Sequence, residues 1–344
     1  MSHKDLVIIN NEKISKKNNN FYCDNVDMQS IPEGLNKNFN VNVIARKSKI
    51  EKAHKINLGK IEIASNIFLF LFYILKTFKK NKTVYLIISI TPYTFLSYLL
   101  LFFFNKKVYI YLRSNGYEEY KAIMGFWGPP IYYVMFKIST YKSNIISCQE
   151  RLFTKRKGDI VFPSELTPSW LENTKKPLLN KPKFLYVGRV KVEKGIFSLL
   201  KIFNEFNIDS EFSIVGKIDD PKKNTYLFNN KKIFYLGHGL DASKLVDIYD
   251  NNNIFVLPSL TEAHPKVLDE SLARMRPVII FEEIEHIIQN RIGIFVSKRD
   301  AKSFGKVVNF IMQNYVNIQE SMKNNKLPTK KDFITKMSNI LSSN

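Results

Sequence analysis

The sequence has 344 residues, 45% hydrophobic and 24% charged, a globular balance long enough for two domains and unlike that of a disordered chain. Two cysteines, Cys23 and Cys148, exclude a disulfide framework and suit a reducing compartment, and no Cys/His grouping has metal-ligand spacing, so no structural zinc is expected. The net charge is +21, and residues 1–180 carry most of it, with 27 Lys and Arg against 13 Asp and Glu, compared with 25 against 18 in the remainder.

The opening, MSHKDLVIIN, turns polar too soon for a signal peptide, so a cytosolic chain is expected. Leu6–Ile9 reads as a first buried strand, and the polar run NNEKISKKNNN after it reads as a mobile loop without a phosphate-cradling glycine pair. Residues 41–45 fit a second strand. From Ser65 to Phe78 apolar and aromatic residues dominate, followed by a basic exit at Lys79, Lys80 and Lys82. Val84–Ile88 is strand-like, Pro92 interrupts, and a second apolar block runs from Phe95 to Phe104 before Lys106 and Lys107. Pro92 splits this region into a strand and a helix too short to span a bilayer. Both apolar helices fit either burial between sheet layers or the insertion of aromatic side chains into lipid. A basic half that is also the most apolar points to an anionic membrane surface; a solvated lysine-rich face is the plainer alternative. No helix-turn-helix, zinc-finger or RNA-binding signature accompanies the charge, so nucleic acid is not an expected partner.

Val108–Leu112 is the next strand, giving βαβ order, and RSNGYEEY at 113–120 leaves its carboxyl end, where open parallel sheets bind ligands. Arg113, Asn115 and Gly116 can therefore reach a cleft, while Glu118 and Glu119 fit a helix start. Asn144–Ser147 is a weak strand. Pro163, Pro168, Pro177 and Pro182 with polar filler mark a linker over 166–182, dividing a domain at 1–165 from one at 183–324. A C-terminal helix at about 325–344 is a candidate to pack back on the first domain.

The second half restarts the alternation. The strand Phe184–Val187 runs into Gly188, Arg189 and Lys194, then Gly195 and an amphipathic helix to about Phe206. Phe212–Val215 ends at Gly216, and Ile233–Leu236 ends at Gly237-His238-Gly239, so three strands close in glycine turns on one side. Glycine there permits close approach by a ligand, and Arg189 and Lys194 are placed to neutralise phosphate. After a helix around 242–249, the strand Ile254–Leu257 leads into EAHPKVLDE at 262–270 and the next buried strand, Pro277–Phe281. Pro265 suits a first helical position with His264 as N-cap, and the free amides there make an anion site. Glu262 and Glu270 flank it, suited to ribose and sugar hydroxyls; the plainer reading is two carboxylates serving the helix dipole.

These stretches, FLYVGRVKVEKG, SIVGK, IFYLGHG and above all VLPSLTEAHPKVLDESLARMRPVII, resemble the retaining GT-B glycosyltransferases of family 4, whose E-x7-E spacing Glu262 and Glu270 match. In the first half only the βαβ order, the RSNG turn and SCQERLF are similar. The resemblance implies an α/β fold of two Rossmann-like, doubly wound domains facing a central cleft, no metal and no cofactor, and a UDP- or GDP-sugar as co-substrate. It implies that Arg189 and Lys194 with Gly188, Gly216 and Gly239 serve the diphosphate and that Glu270 holds the ribose. Glu262, with the loop at His264 and Pro265 and the amides of Lys266 and Val267, would hold the donor sugar and phosphates. The expected acceptor is a lipid-linked glycan in bacterial surface-polysaccharide synthesis, at the inner face of the cell membrane. Three departures touch the acceptor side: no glycine-rich loop after the first strand, Arg113-Ser-Asn-Gly116 in place of a cleft histidine, and Ala263 after the first glutamate. A sugar-nucleotide epimerase on the same architecture and a non-enzymatic basic membrane- or nucleic-acid-binding protein are the rival readings.

Overall fold

The computed structural model describes residues 4–79, 83–205, 208–218 and 230–343. Lys80, Lys82, Phe206 and the first residues of the opening stretch lie outside them. The chain divides into two compact units, 164–330 and a first unit made of 1–163 with 331–344.

In the first unit the strands are β1 (Lys4–Lys17), β2 (Asn20–Cys23), β3 (Phe39–Lys47), β4 (His54–Ile56), β5 (Ile61–Ala64), β6 (Val84–Ile88), β7 (Val108–Leu112), β8 (Asn144–Ser147) and β9 (Asp159–Ile160). The helices are α1 (Asp27–Leu35), α2 (Ile67–Lys76), α3 (Pro92–Phe103), α4 (Gly116–Met124) and α5 (Gly128–Ser139). Seven strands form a parallel sheet in the order β5-β3-β1-β6-β7-β8-β9. Leu6, Ile8, Val84, Leu86, Tyr109 and Tyr111 are fully or nearly buried, as strands covered on both faces must be.

The polar stretch after Ile9 is not a loop. β1 shifts register between Ile9 and Lys13 and runs on to Lys17, where it pairs antiparallel with β2. The signal is Ile14, an isolated apolar residue that is fully buried beside Cys23 and Ile56. Asn18 and Asn19 make the turn with φ of 47° and 61°, the left-handed pair that a two-residue hairpin requires and asparagine tolerates.

The second unit holds α6 (Pro168–Leu171), β10 (Lys183–Val187), α7 (Ile196–Glu205), β11 (Glu211–Val215), β12 (Ile233–Tyr235), α8 (Ala242–Asn251) and β13 (Ile254–Leu257). After them come α9 (Lys266–Ala273), β14 (Val278–Phe281), β15 (Ile294–Ser297), α10 (Ala301–Gln313) and α11 (Tyr315–Met322). The sheet is parallel in the order β12-β11-β10-β13-β14-β15, the doubly wound arrangement whose order reverses between β10 and β13. The last helix, α12 (Lys330–Ser342), sets Phe333, Met337 and Leu341 into the core of the first unit, and Asn38 donates to Ser338 across 2.9 Å.

Residues 166–182 are not a free linker. Leu166 and Trp170 are buried in the core of the second unit, and two arginines hold the backbone around them. Arg274 donates to the carbonyls of Trp170 and Glu172 at 3.1 and 2.7 Å and to Asp250 at 2.7 Å. Arg276 donates to the carbonyls of Lys175 and Asp250 at 2.9 Å each. Proline composition signalled irregular backbone; it did not signal that the carbonyls have buried partners.

Each of these guanidiniums is 1% exposed and paired with a carboxylate that is equally buried. Arg274→Ala should therefore cost about 3–5 kcal/mol of stability, because it leaves the buried Asp250 only its longer contact to Arg276 and strips the Trp170 and Glu172 carbonyls of their donor. Urea unfolding measures this. Removing the surface pair Lys323–Glu320, more than half exposed on both sides, should barely move the same midpoint.

Candidate active site

The crevice at the switch point of the second sheet is bounded by the loops leaving β10 and β13. Two close backbone approaches shape it. Gly195 has φ of +67°, and a Cβ there would stand 1.8 Å from the Pro258 carbonyl oxygen. Gly216, after β11, has φ of +150°, with the Gly188 carbonyl 1.7 Å from where its Cβ would be. No other residue fits at either point. The loops are also laced by hydrogen bonds: Gly188 N–H to Val215, Gly216 N–H to Gly237, and Leu260 N–H to the Glu193 carbonyl, at 2.9, 2.8 and 3.2 Å. The Tyr186 hydroxyl donates to the Arg189 carbonyl at 2.7 Å, while the Arg189 side chain is exposed. Gly239 lies in the exposed turn after β12, with φ of +69°.

Inside this frame Lys194 and Glu262 meet. Lys194 Nζ lies 2.5 Å from Glu262 Oε1, and the Ser259 hydroxyl donates to the same oxygen at 2.7 Å. The pair is mostly buried, with Lys194 24% and Glu262 12% exposed. The sequence put these groups 68 residues apart; the sheet order makes them neighbours. His286 Nε2, which the sequence reading did not single out, lies 3.0 Å from the Glu262 carbonyl oxygen.

The helix start differs from the sequence expectation. Pro265 is the N-cap of α9, with φ −74° and ψ 113°, and Lys266 is the first helical residue. His264 is no cap. Its side chain turns inward, where Nε2 lies 3.0 Å from Asp269 Oδ2, and Arg291 donates to Asp269 Oδ1 at 2.6 Å. Burial pushes the Asp269 carboxyl up, but the bonds from His264 and Arg291 outweigh it and hold it below the usual range. The Lys266 side chain bridges to Glu165 at 3.2 Å, and Lys330 reaches the other oxygen of Glu165 at 2.9 Å. Proline contributes no side-chain cap to the start of α9, and a helix start carries the positive end of the helix dipole.

Glu270 is buried on α9, with Oε2 3.1 Å from the Tyr249 hydroxyl; the same hydroxyl lies 3.2 Å from the Val267 carbonyl oxygen. Burial raises its carboxyl from 4.5 to about 7, against the opposing pull of Lys266 and Tyr249. A buried carboxyl that is hydrogen-bonded to a tyrosine, and that burial keeps high despite Lys266, is suited to meet uncharged hydroxyls rather than phosphate.

In the first unit the RSNG turn is occupied by its own structure. Arg113 pairs with Asp27 at 3.0 Å and Glu12 at 3.6 Å. The Asn115 side chain caps α4 by accepting from Tyr117 N–H at 3.1 Å, and Gly116 packs where a Cβ would fall 2.1 Å from the Tyr132 ring. Asp27, on a helix that the sequence reading did not mark, was the missing partner of Arg113.

Residues 171–327 match the family model described as "Glycosyl transferases group 1". The chain is 25% identical over 151 residues to the capsular polysaccharide biosynthesis glycosyltransferase CapM of Staphylococcus aureus, covering 41% of this chain and 39% of that protein. It is 24% identical over 159 residues to the N,N'-diacetylbacillosaminyl-diphospho-undecaprenol alpha-1,3-N-acetylgalactosaminyltransferase of Campylobacter jejuni, covering 43% and 42%. The matches thus span about two-fifths of each relative's length. Among solved structures, Anabaena Alr3699/HepE in complex with UDP and glucose is similar with a TM-score of 0.69 and 11% identity, over 99% of this chain and 100% of that one. The fold is therefore α/β of the GT-B glycosyltransferase type, with two Rossmann-like domains.

The raised Glu270 carboxyl has a definite consequence for stability. The folded protein binds this proton more tightly than the unfolded chain, so stability falls as pH rises from about 4.5 through about 7. The loss is about 3 kcal/mol when complete. Glu270→Gln should remove it, leaving the variant more stable than the parent at pH 8 and nearly equal at pH 4.5. Urea unfolding at both pH values checks the sign.

Proposed function

We propose that the chain is a glycosyltransferase that moves a sugar from a UDP- or GDP-linked donor to a lipid-linked glycan, with retention of configuration and without a metal ion at the phosphates. The observation that carries this reading is the convergence at one switch point of the Lys194–Glu262 pair, the uncapped start of α9 and the buried Glu270. The matched family and the polysaccharide relatives support it, and the UDP in the HepE structure supports a nucleoside diphosphate. The undecaprenol-linked substrate named for the Campylobacter relative supports a lipid-linked acceptor.

In this reading the donor diphosphate takes over Lys194 from Glu262, while Arg189 and the α9 amides share its charge. Glu262, released from the ammonium, accepts from the donor sugar. Glu270 accepts from the ribose. As the sugar carbon leaves its phosphate, negative charge grows on the diphosphate and positive charge on the ring. Fixed cations and the helix end then stabilise the transition state more than the ground state. His264, Asp269 and Arg291 act one step back, fixing the loop between the two glutamates.

Screening a panel of sugar nucleotides for hydrolysis and transfer tests the reading. Lys194→Ala should cost about 2–4 kcal/mol in kcat/KM with the fold intact. Glu262→Gln should mainly lower kcat, and Glu270→Gln should mainly raise KM, because ribose contacts are the same in ground and transition states. Calorimetry of the matching nucleoside diphosphate should give the same affinity with and without chelator. Wild-type turnover in Lys194→Ala, or binding abolished by chelator, would refute the corresponding assignment.

A further inference from the structure

We infer that the helical layer formed by α2, α3, α4 and α5, with Phe126 and Trp127 on the turn between the last two, seats the chain on an anionic lipid bilayer. α2 packs on α3, α3 on α5, and α5 on α4, covering the sheet face opposite the core that α1 and α12 fill. The layer is apolar on the wrong side for a soluble surface. α3 buries Thr94, Ser97, Tyr98 and Leu101 and turns Leu96 and Phe103 outward, followed by Phe104 at its end, at 40%, 79% and 54% exposure. α2 leaves Phe68 82% exposed. Between α4 and α5 a single turn at Gly125–Trp127 presents Phe126 and Trp127, 83% and 69% exposed with their rings 5.7 Å apart. Exposed apolar residues occur singly on any protein; an apolar outer layer over successive helices marks an interaction surface.

The charge around this layer selects the occupant. Among the described side chains, the helices and their flanks carry Lys76, Lys106, Lys107, Lys121, Lys137 and Lys142 against Glu118 and Glu119, while Arg113 is taken up by Asp27 and Glu12. Lysines stand beside aromatic rings of this layer: Lys76 Nζ is 4.7 Å from the centroid of the exposed Phe72, and Lys142 and Lys106 are 5.4 and 4.8 Å from the half-buried Phe102 and Phe78. Aromatic side chains at acyl depth with lysines reaching the headgroups are what an anionic leaflet binds. A second copy of the chain fits worse, since a two-fold interface would set one lysine-rich face against another, and lysine is depleted from such interfaces. Among the described residues no helix is long and apolar enough to cross a membrane, so the layer lies on the bilayer. The inference rests on this surface alone and is independent of the chemistry proposed above.

The chain supplies its own probe. Of two tryptophans, Trp127 is exposed and Trp170 is 2% exposed, so fluescence changes on docking report the tip of the layer. The protein without nucleotide is mixed with vesicles of phosphatidylcholine, with or without phosphatidylglycerol. Tryptophan emission should shift to the blue with phosphatidylglycerol present, by more at low salt than at high salt. Phe126→Ser combined with Trp127→Ser should lower the vesicle-bound fraction constant about tenfold or more, measured by flotation. Both residues are exposed, so the melting temperature should hold. Emission indifferent to phosphatidylglycerol, or flotation unchanged in the double variant, would overturn the inference. So would a blue shift that follows protein concentration alone with dimers in sedimentation equilibrium. Donor binding measured on the same samples separates this outcome from any failure of the transferase reading.

Discussion

Backbone touches backbone where the second sheet reverses its order, and the candidate site follows from that contact. With hydrogen at Gly195 and Gly216, the loop after β10 lies directly against the Pro258 carbonyl on one side and the β11 turn on the other. Lys194 is thereby brought to Glu262 as a neighbour of a loop that begins 64 residues later in the chain. A methyl group at either glycine would push these loops apart by more than a side-chain rearrangement could absorb, since the obstructing atoms are main-chain carbonyls.

Around that contact the second unit sorts its buried charges into two kinds. Asp250 with Arg274 and Arg276, and Asp269 with His264 and Arg291, are sets in which one buried carboxylate is held between two partners. They fix backbone: the first set the segment after Leu166, the second the approach to α9. Glu270 is of the other kind. It sits one residue from Asp269 yet has a tyrosine for company, and burial leaves its carboxyl high where its neighbour's is low. Adjacent carboxylates on one helix turn thus hold opposite protonation preferences, set by what faces them rather than by residue type.

Much of this was legible in the sequence because parallel strands announce themselves. Phe184–Val187 and Ile254–Leu257 are unbroken apolar runs ending at Gly188 and Pro258, and Val278–Phe281 is another that opens after Pro277; the carboxyl ends of such strands point to the ligand side. What the sequence concealed was polar. Ile14 is one apolar residue in a run of Asn, Lys and Ser, too sparse a period to declare a strand. The partner of Arg113 is Asp27, on a helix whose internal Pro32 masks its pattern. Arg274 and Arg276 look like surface cations until the carbonyls that receive them are known. His264 read as a cap because the proline after it suits a helix start, whereas Asp269 and Arg291 draw its ring inward. The pairings of Arg113, Arg274, Arg276 and Arg291 join residues distant in sequence and are invisible to a short local window.

The placement of α12 bears on the order in which the molecule is made. Ribosomes deliver the first unit's sheet early, but Phe333, Met337 and Leu341, which complete its core beneath Leu6, Ile8 and Tyr111, emerge after the entire second unit. The second unit is continuous in sequence and becomes foldable first. Throughout that interval the nascent first unit holds an open apolar seam on one sheet face and uncovered aromatics on the helices of the other. Its exposure to chaperones, or to the bilayer itself, is built into the connectivity.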